Sequence, residues 1–196
     1  GLGRAPGSDQ MTAHALRRDR AGSADDFTDD VEELSRYLGP RTDDQKVIAV
    51  PGHDTEVPIW LLGSSLFSAQ LAGMRGMPYA FASHFAPRYM HEAIRVYRNH
   101  FKPSTTLDKP YVMLGIPMVV AETDEKAEYL ATSVYQRILA LIRGQSLMQK
   151  PPVETMNGLW LPHERAAVGS FMGLAMIGSP DKIRAKVGVL LVQTGA

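Results

Sequence analysis

The stretch from Pro58 to Phe85, PIWLLGSSLFSAQLAGMRGMPYAFASHF, constrains the fold of this chain more than any other segment. An apolar run, Pro58-Ile59-Trp60-Leu61-Leu62, stops at Gly63-Ser64-Ser65. A small-residue helix follows, Gly76-Met77-Pro78 breaks it, and a second apolar run covers Tyr79 to Ala82. Short apolar runs bounded by turn residues and joined through a helix spell one β-α-β unit. The first strand ends at two hydroxyls and at the free backbone N–H groups of a helix start, a combination suited to a phosphate. The second ends at Ser83-His84 and is expected to open on the same rim.

The rest of the chain carries the same alternation. Gln10 to Arg18 reads as a short helix carrying Met11, Ala15 and Leu16. Ser23-Ala24-Asp25-Asp26 starts a second, whose Phe27, Val31, Leu34 and Leu38 share one helical face until Gly39-Pro40 stops it. Lys46 to Val50 is a β-like run ended by Pro51-Gly52, read as a surface excursion. Pro87 starts a helix bearing Tyr89, Met90, Ala93, Ile94 and Tyr97, and a polar loop covers Lys102 to Lys109. Tyr111 to Val120 is too β-rich, and too interrupted by Gly115 and Pro117, to be helical. It ends at Ala121-Glu122-Thr123-Asp124, where Thr123 or Asp124 can cap a long helix reaching Arg143. Gln145 to Trp160 lacks periodicity and contains Pro151-Pro152, so it reads as a loop. Pro162 starts another helix, and Gly178-Ser179-Pro180 starts the last. The opening Gly1 to Gly7 reads as entered at a strand's end, and the close as a helix with a glycine stop. The expectation is a segment of a longer protein; trimmed tags or omitted ends are the alternative.

Strands alternating with helices imply a parallel sheet, either open and doubly wound or closed into a barrel. Gly1, Gly3 and Gly7 do not make G-x-G-x-x-G, and no G-x-x-x-x-G-K-[ST] occurs. In a barrel the active face lies at the carboxyl ends of the strands. That rim would collect Gly3-Arg4, Gly63-Ser64-Ser65, Ser83-His84 and Ala121-Glu122-Thr123. One fixed cation, several hydroxyls, a helix N-terminus and an imidazole fit a phosphate-bearing cofactor better than a metal. His14, His53, His91, His100 and His163 have no ligand-like spacing, so no metal site is expected. The 21 basic and 21 acidic residues balance, which gives no global field for nucleic acid or an anionic membrane. Without cysteine, a signal peptide or an apolar run of about 20 residues, the expected location is cytoplasmic.

LGRAPGSD at the start, PIWLLGSSLFSAQLAGMRGMPYAFASHFAP in the middle and MVVAETDEKAE later resemble the bacterial luciferase-like flavin monooxygenases. The resemblance implies an α/β fold, part of a (β/α)8 TIM barrel. Residues 1–196 would form a single luciferase-like domain with an incomplete barrel, from the end of strand four to the helix before strand eight. An incomplete barrel leaves open edges, so the isolated chain is expected to be marginal in solution. The family implies reduced FMN from a separate flavin reductase, O2, a small organic substrate of aldehyde-like type, and a homodimer.

By matching position, Arg4 corresponds to the family's arginine on the flavin phosphate; the plainer role is a surface ion pair, for instance with Asp9. Gly63, Ser64 and Ser65 match the phosphate-holding turn, although Ser64 alone would serve as an ordinary helix cap. Ala82 and Ser83 are expected beside the flavin, where small side chains admit a planar ring. His84 is the catalytic candidate, facing flavin or substrate and able to exchange a proton near neutral pH; the plainer role is a hydrogen bond to a neighbouring loop. Glu122 reads better as part of a helix start than as a pocket group. The methionines, Met113, Met118, Met172 and Met176 among them, could line a substrate pocket or fill core gaps. Trp60 reads as packing, Trp160 as part of a lid, and His53-Asp54 as a solvated turn. The rival functions are a deazaflavin (F420)-dependent oxidoreductase on the same barrel and a non-catalytic flavin-binding protein. An acid-base enzyme of another barrel family, with Arg4 on a substrate phosphate, is a further alternative.

Overall fold

The computed structural model describes residues 1–4 and 26–196. The expected helix at Gln10–Arg18, the Ser23-to-Asp25 start of the next helix, and Asp9 lie outside the described residues. The described chain forms two compact units, residues 1–80 with 95–112 and residues 81–94 with 113–196.

In the first unit, helix α1 (Phe27–Leu38) is amphipathic and buries Val31. It stops at Gly39, whose N–H donates to the Ser35 carbonyl at 3.0 Å. The β-like run at Lys46–Val50 forms no strand. Backbone groups here bond within the turn and back to the end of α1 instead: the N–H groups of His53, Asp54 and Glu56 donate to the carbonyls of Ala49, Gly39 and Leu38. These bonds tie the turn to the end of α1. His53 is half-buried rather than solvated, and its Nδ1 has no partner among the described residues.

The β-α-β unit follows as β1 (Leu61–Gly63), α2 (Leu66–Met74) and β2 (Tyr79–Ala82). Strand β1 starts later than the apolar run, leaving Pro58, Ile59 and Trp60 outside it; Pro58 has no N–H to give to a ladder. Leu2 lies parallel to β1: its N–H donates to the Trp60 carbonyl at 2.8 Å, and its carbonyl accepts from Leu62 at 2.7 Å. Strand β3 (Val112–Gly115) completes a sheet of order β1-β2-β3. All four residues of β2 are buried, as a strand covered on both faces requires. A single-turn 3-10 helix (Pro87–Tyr89) leads into α3 (Met90–His100). A Cβ on Gly73 of α2 would lie 2.6 Å from the Tyr97 carbonyl, so glycine is what admits α2 and α3 at this separation. The buried Tyr97 hydroxyl donates to the Met77 carbonyl at 2.9 Å and accepts the Tyr111 N–H at 3.0 Å. Trp60 packs on Tyr111, ring centroids 5.2 Å apart, in the packing role expected of it.

The second unit contains β4 (Met118–Val120), α4 (Asp124–Ile142), α5 (Pro162–Phe171), β5 (Met176–Gly178) and α6 (Pro180–Thr194). The expected single run from Tyr111 to Val120 is thus two strands, interrupted at Ile116-Pro117. Strand β4 belongs to a second sheet, paired in parallel with β5 in the register Met118↔Met176, Val119↔Ile177, Val120↔Gly178. Helix α4 covers that pair, burying Ala127 and Ala131 against Ile177. A second cluster joins Leu139, Met156 and Val168, with Trp160 packed on it. The segment from Gln145 to Trp160 has no regular structure, as expected, but Trp160 stacks on Tyr135 at 6.0 Å and so packs as core rather than as a lid.

Two ion pairs fix the ends of these elements. Arg143 grips the Glu164 carboxylate with Nε and a terminal nitrogen at 2.7 and 2.8 Å, and its guanidinium also donates to the Leu159 carbonyl. Glu164 in turn accepts the Leu161 N–H at 2.7 Å. These partners hold its carboxyl down at about 2. Thr123 caps α4, accepting the Lys126 N–H at 3.2 Å. Asp124 reaches instead to α6, where it accepts the Ser179 N–H at 2.7 Å and the Lys182 ammonium at 3.0 Å.

Candidate functional site

The candidate residues fall in two groups. Arg4, Gly63, Ser64 and Ser65 come together in the first unit, and Ala82, Ser83 and His84 are consecutive in the second. Each group is described by itself.

In the first group, parallel pairing of Leu2 with Leu61 delivers the chain to the carboxyl end of β1. Gly3 lies so close to that strand that a Cβ on it would meet the Leu62 carbonyl oxygen at 3.0 Å. Arg4 then turns over the first turn of α2, its guanidinium carbon 4.0 Å from the centre of the Phe67 ring. Stacking of this kind orients the planar fork while leaving its N–H donors free at the edge. The turn below it is Gly63-Ser64-Ser65, all half-buried. Ser65 occupies the N-cap position in extended conformation, and its hydroxyl makes no cap bond. The first-turn N–H groups of a helix have no intrahelical acceptor, and the N-cap side chain does not take those of α2. A Cβ on Gly63 would fall 2.8 Å from the Cβ of the buried Ser68 and closer still to its hydroxyl. Only glycine lets the turn fold down on the helix. Arg4 and the turn therefore present a guanidinium and a helix N-terminus to one small region, the donor set a phosphate monoester requires.

In the second group, β2 ends at buried Ala82, and fully buried Ser83 follows it. The Ser83 N–H bonds the Phe81 carbonyl at 3.1 Å, but its hydroxyl has no partner among the described residues. A buried hydroxyl without a hydrogen bond is costly, and a bound polar group is one way to satisfy it. His84 is exposed. Its ring stacks on Phe85 with centroids 4.2 Å apart, and it rests beside Gly115 of β3, where an added Cβ would meet Nδ1 at 3.7 Å.

Sequence reasoning missed Phe67, Ser68 and Gly115, the residues that aim or back the candidates. Ser68 was within reach, since it falls in the first turn of the helix that the Gly-Ser-Ser turn starts. Glu122 is exposed next to the α4 cap, in the helix-start role favoured for it. Of the methionines, Met113 and Met118 are about half exposed (52% and 48%) and Met176 is buried. Among the described residues no group of three or more His, Asp or Glu could hold a metal ion, and no helix is long and apolar enough to cross a membrane.

The family model described as luciferase-like monooxygenase matches residues 1–196. The chain is 50% identical over 188 residues to YvbT of Bacillus subtilis, covering 95% of this chain and 56% of YvbT. It is 44% identical over 196 residues to a luciferase-like monooxygenase of Escherichia coli K12, covering 100% of this chain and 58% of that protein. The crystal structure of apo-MsnO8 superposes with a TM-score of 0.79 at 27% identity, over 100% of this chain and 59% of that one. The oxygenating constituent of 3,6-diketocamphane monooxygenase from Pseudomonas putida, a type II Baeyer-Villiger enzyme solved in complex with FMN, shares the fold. Its TM-score is 0.53 at 17% identity, over 100% of this chain and 61% of that one. The chain belongs to the luciferase-like monooxygenase family, and its mixed α/β fold with parallel strands is of that family's TIM-barrel type. It spans 56–58% of the length of these curated relatives.

Proposed function

We propose that this chain is part of a flavin-dependent monooxygenase that uses reduced FMN and O2 to oxidise a small organic substrate. The observation that carries the reading is Arg4 stacked over the uncapped first turn of α2, above the turn that Gly63 makes possible. Family membership supports it, as does the FMN present in the diketocamphane enzyme of the same fold. Residues 1–196 read as one luciferase-like domain, from the end of the fourth barrel strand to the helix before the eighth.

Arg4 and the α2 N-terminus would hold the FMN phosphate, the guanidinium by paired charge-assisted bonds and the helix by its N–H groups and dipole. Ala82 leaves room for a flat ring to approach β2. The buried Ser83 hydroxyl can donate to a carbonyl or accept from a ring N–H. His84, exposed beside them in sequence, can take or return a proton at the substrate, a role open to imidazole near neutral pH. Bound reduced FMN would supply the electrons that activate O2, and apolar surroundings would exclude water. A separate flavin reductase, a homodimeric assembly and a cytoplasmic location complete the proposal.

The test is a titration with FMN, oxidised and then reduced under anaerobic conditions, followed by flavin absorbance and fluorescence. One saturable site, tighter for the reduced form and weakened by Arg4→Ala, is expected. Indifference to Arg4→Ala would remove the phosphate assignment. Turnover that persists without O2 would point to hydride transfer with a deazaflavin instead.

A further inference from the structure

A cavity of about 510 Å³ lies in the second unit next to His84, between the 3-10 turn at Pro87–Tyr89 and the end of α5. We infer that it holds the organic substrate, and that this substrate is a compact aromatic or apolar molecule bearing a carboxylate. Its size is in the range of small-ligand sites, about 300–1,000 Å³. Phe85, Tyr89, Phe171 and Leu174 give it apolar walls. Gly173 lies against Pro87 at the same place, where an added Cβ would come within van der Waals contact of the proline ring at 3.6 Å.

Two features select the ligand. Phe85 is 62% exposed while its ring stacks on His84. An apolar ligand that packs on this ring is therefore held one ring away from the imidazole. The second feature is charge. Arg88 is the single charged side chain among the described lining residues, and its guanidinium sits 4.7 Å above the Tyr89 ring. No carboxylate pairs with it among the described residues. A cation at the rim of an apolar cavity, with no acid among the described lining residues, is complementary to an anionic end group, and the guanidinium fork matches a carboxylate. That the ligand is a substrate rests on the flavin reading above; that the cavity binds it does not.

The experiment uses the flavin-free chain and two fluorescent probes of equal size, naphthalene-2-carboxylate and naphthalene-2-methanol. The carboxylate is expected to bind roughly tenfold more tightly, the order of one charge-assisted hydrogen bond. Arg88→Gln should abolish that preference without weakening the alcohol, and Arg88→Lys should keep part of it. Phe171→Ala should weaken both probes. Equal affinities, a preference that survives Arg88→Gln, or no binding of either probe would overturn the inference. The same samples are titrated with FMN. FMN binding without probe binding sinks the cavity inference alone. Arg88-dependent probe binding without FMN binding leaves a ligand site but overturns its assignment to a substrate.

Discussion

Replacing Gly63 by alanine tests both the local geometry and the proposed phosphate site. The new Cβ would lie 2.8 Å from the Ser68 Cβ, whereas carbon atoms pack at about 3.5–4.0 Å. Ser68 is buried in the first turn of α2, so the Gly-Ser-Ser turn must withdraw by about 1 Å. A hydrogen bond of about 2.9 Å stretched by that much is lost. Each bond to a charged group contributes about 1.5–3 kcal/mol, so losing one weakens FMN binding by roughly 10- to 150-fold. The assay is quenching of flavin fluorescence, with riboflavin as the control because it lacks the phosphate. Gly63→Ala should weaken FMN and leave riboflavin unchanged. Adding Ser68→Gly removes the opposing atoms and should restore most of the affinity, at a cost of about 1 kcal/mol in stability for a glycine within a helix. Undiminished FMN affinity in the single variant, or equal losses for riboflavin, would refute the reasoning.

Three further perturbations probe other parts of the molecule. Ser83→Ala removes a buried hydroxyl without a described partner, so it should raise the melting temperature of the flavin-free protein, by the equivalent of about 1–3 kcal/mol, while weakening flavin binding. A change in only one of these two quantities would detach Ser83 from the flavin. Arg143→Ala strips Glu164 of its bidentate partner and releases the Leu159 carbonyl; limited proteolysis between residues 145 and 160 should accelerate, and unchanged cleavage would show the segment is held by its apolar contacts alone. Asp124 titrates at about 2, held down first by the Ser179 N–H and then by Lys182, against about 3.9 for a free aspartate. Its folded value is depressed, so its contribution to stability is complete above about pH 5 and is lost as pH falls through about 2. Asp124→Asn should therefore flatten this part of the acid-unfolding curve, and an acid limb identical to wild type would count against the clamp.

The parts of the fold legible in the sequence are those whose partners are close along the chain. The run from Tyr79 to Ala82 reads as a strand because Gly76-Met77-Pro78 precedes it and Ser83-His84 follows, and the structure gives it those bounds. The α1 face, the glycine stop and the start of α5 at Pro162 depend on neighbours within a turn or two. Strand β5 is different. Three residues, Met176 to Gly178, are too few for a period-2 pattern to appear, and their partner is β4, across the whole of α4 and α5. The break inside Tyr111–Val120 was equally hidden. Gly115 and Pro117 signal an interruption, but only pairing decides that the residues on either side join different sheets.

The same distinction governs the candidate site, and Asp124 shows why. Local rules offer Thr123 or Asp124 as the cap of α4, and Ser179 as the cap of α6. The structure gives the first role to Thr123 and sends Asp124 across 55 residues to the Ser179 N–H. The Ser179 hydroxyl makes no cap bond. A charged oxygen outcompetes a hydroxyl for a helix N-terminus because it adds a favourable interaction with the dipole to the hydrogen bond. At α6 that anion comes from the protein itself. At α2 no side chain among the described residues fills the corresponding place: Ser65 leaves its helix uncapped, the first turn holds no acidic residue, and the described group that approaches is the cation Arg4. Two helix starts of similar sequence, one answered by an internal carboxylate and one flanked by a guanidinium, therefore differ in what they can accept. Only the second remains complementary to an external phosphate, and that contrast depends on contacts made by residues far apart in the chain.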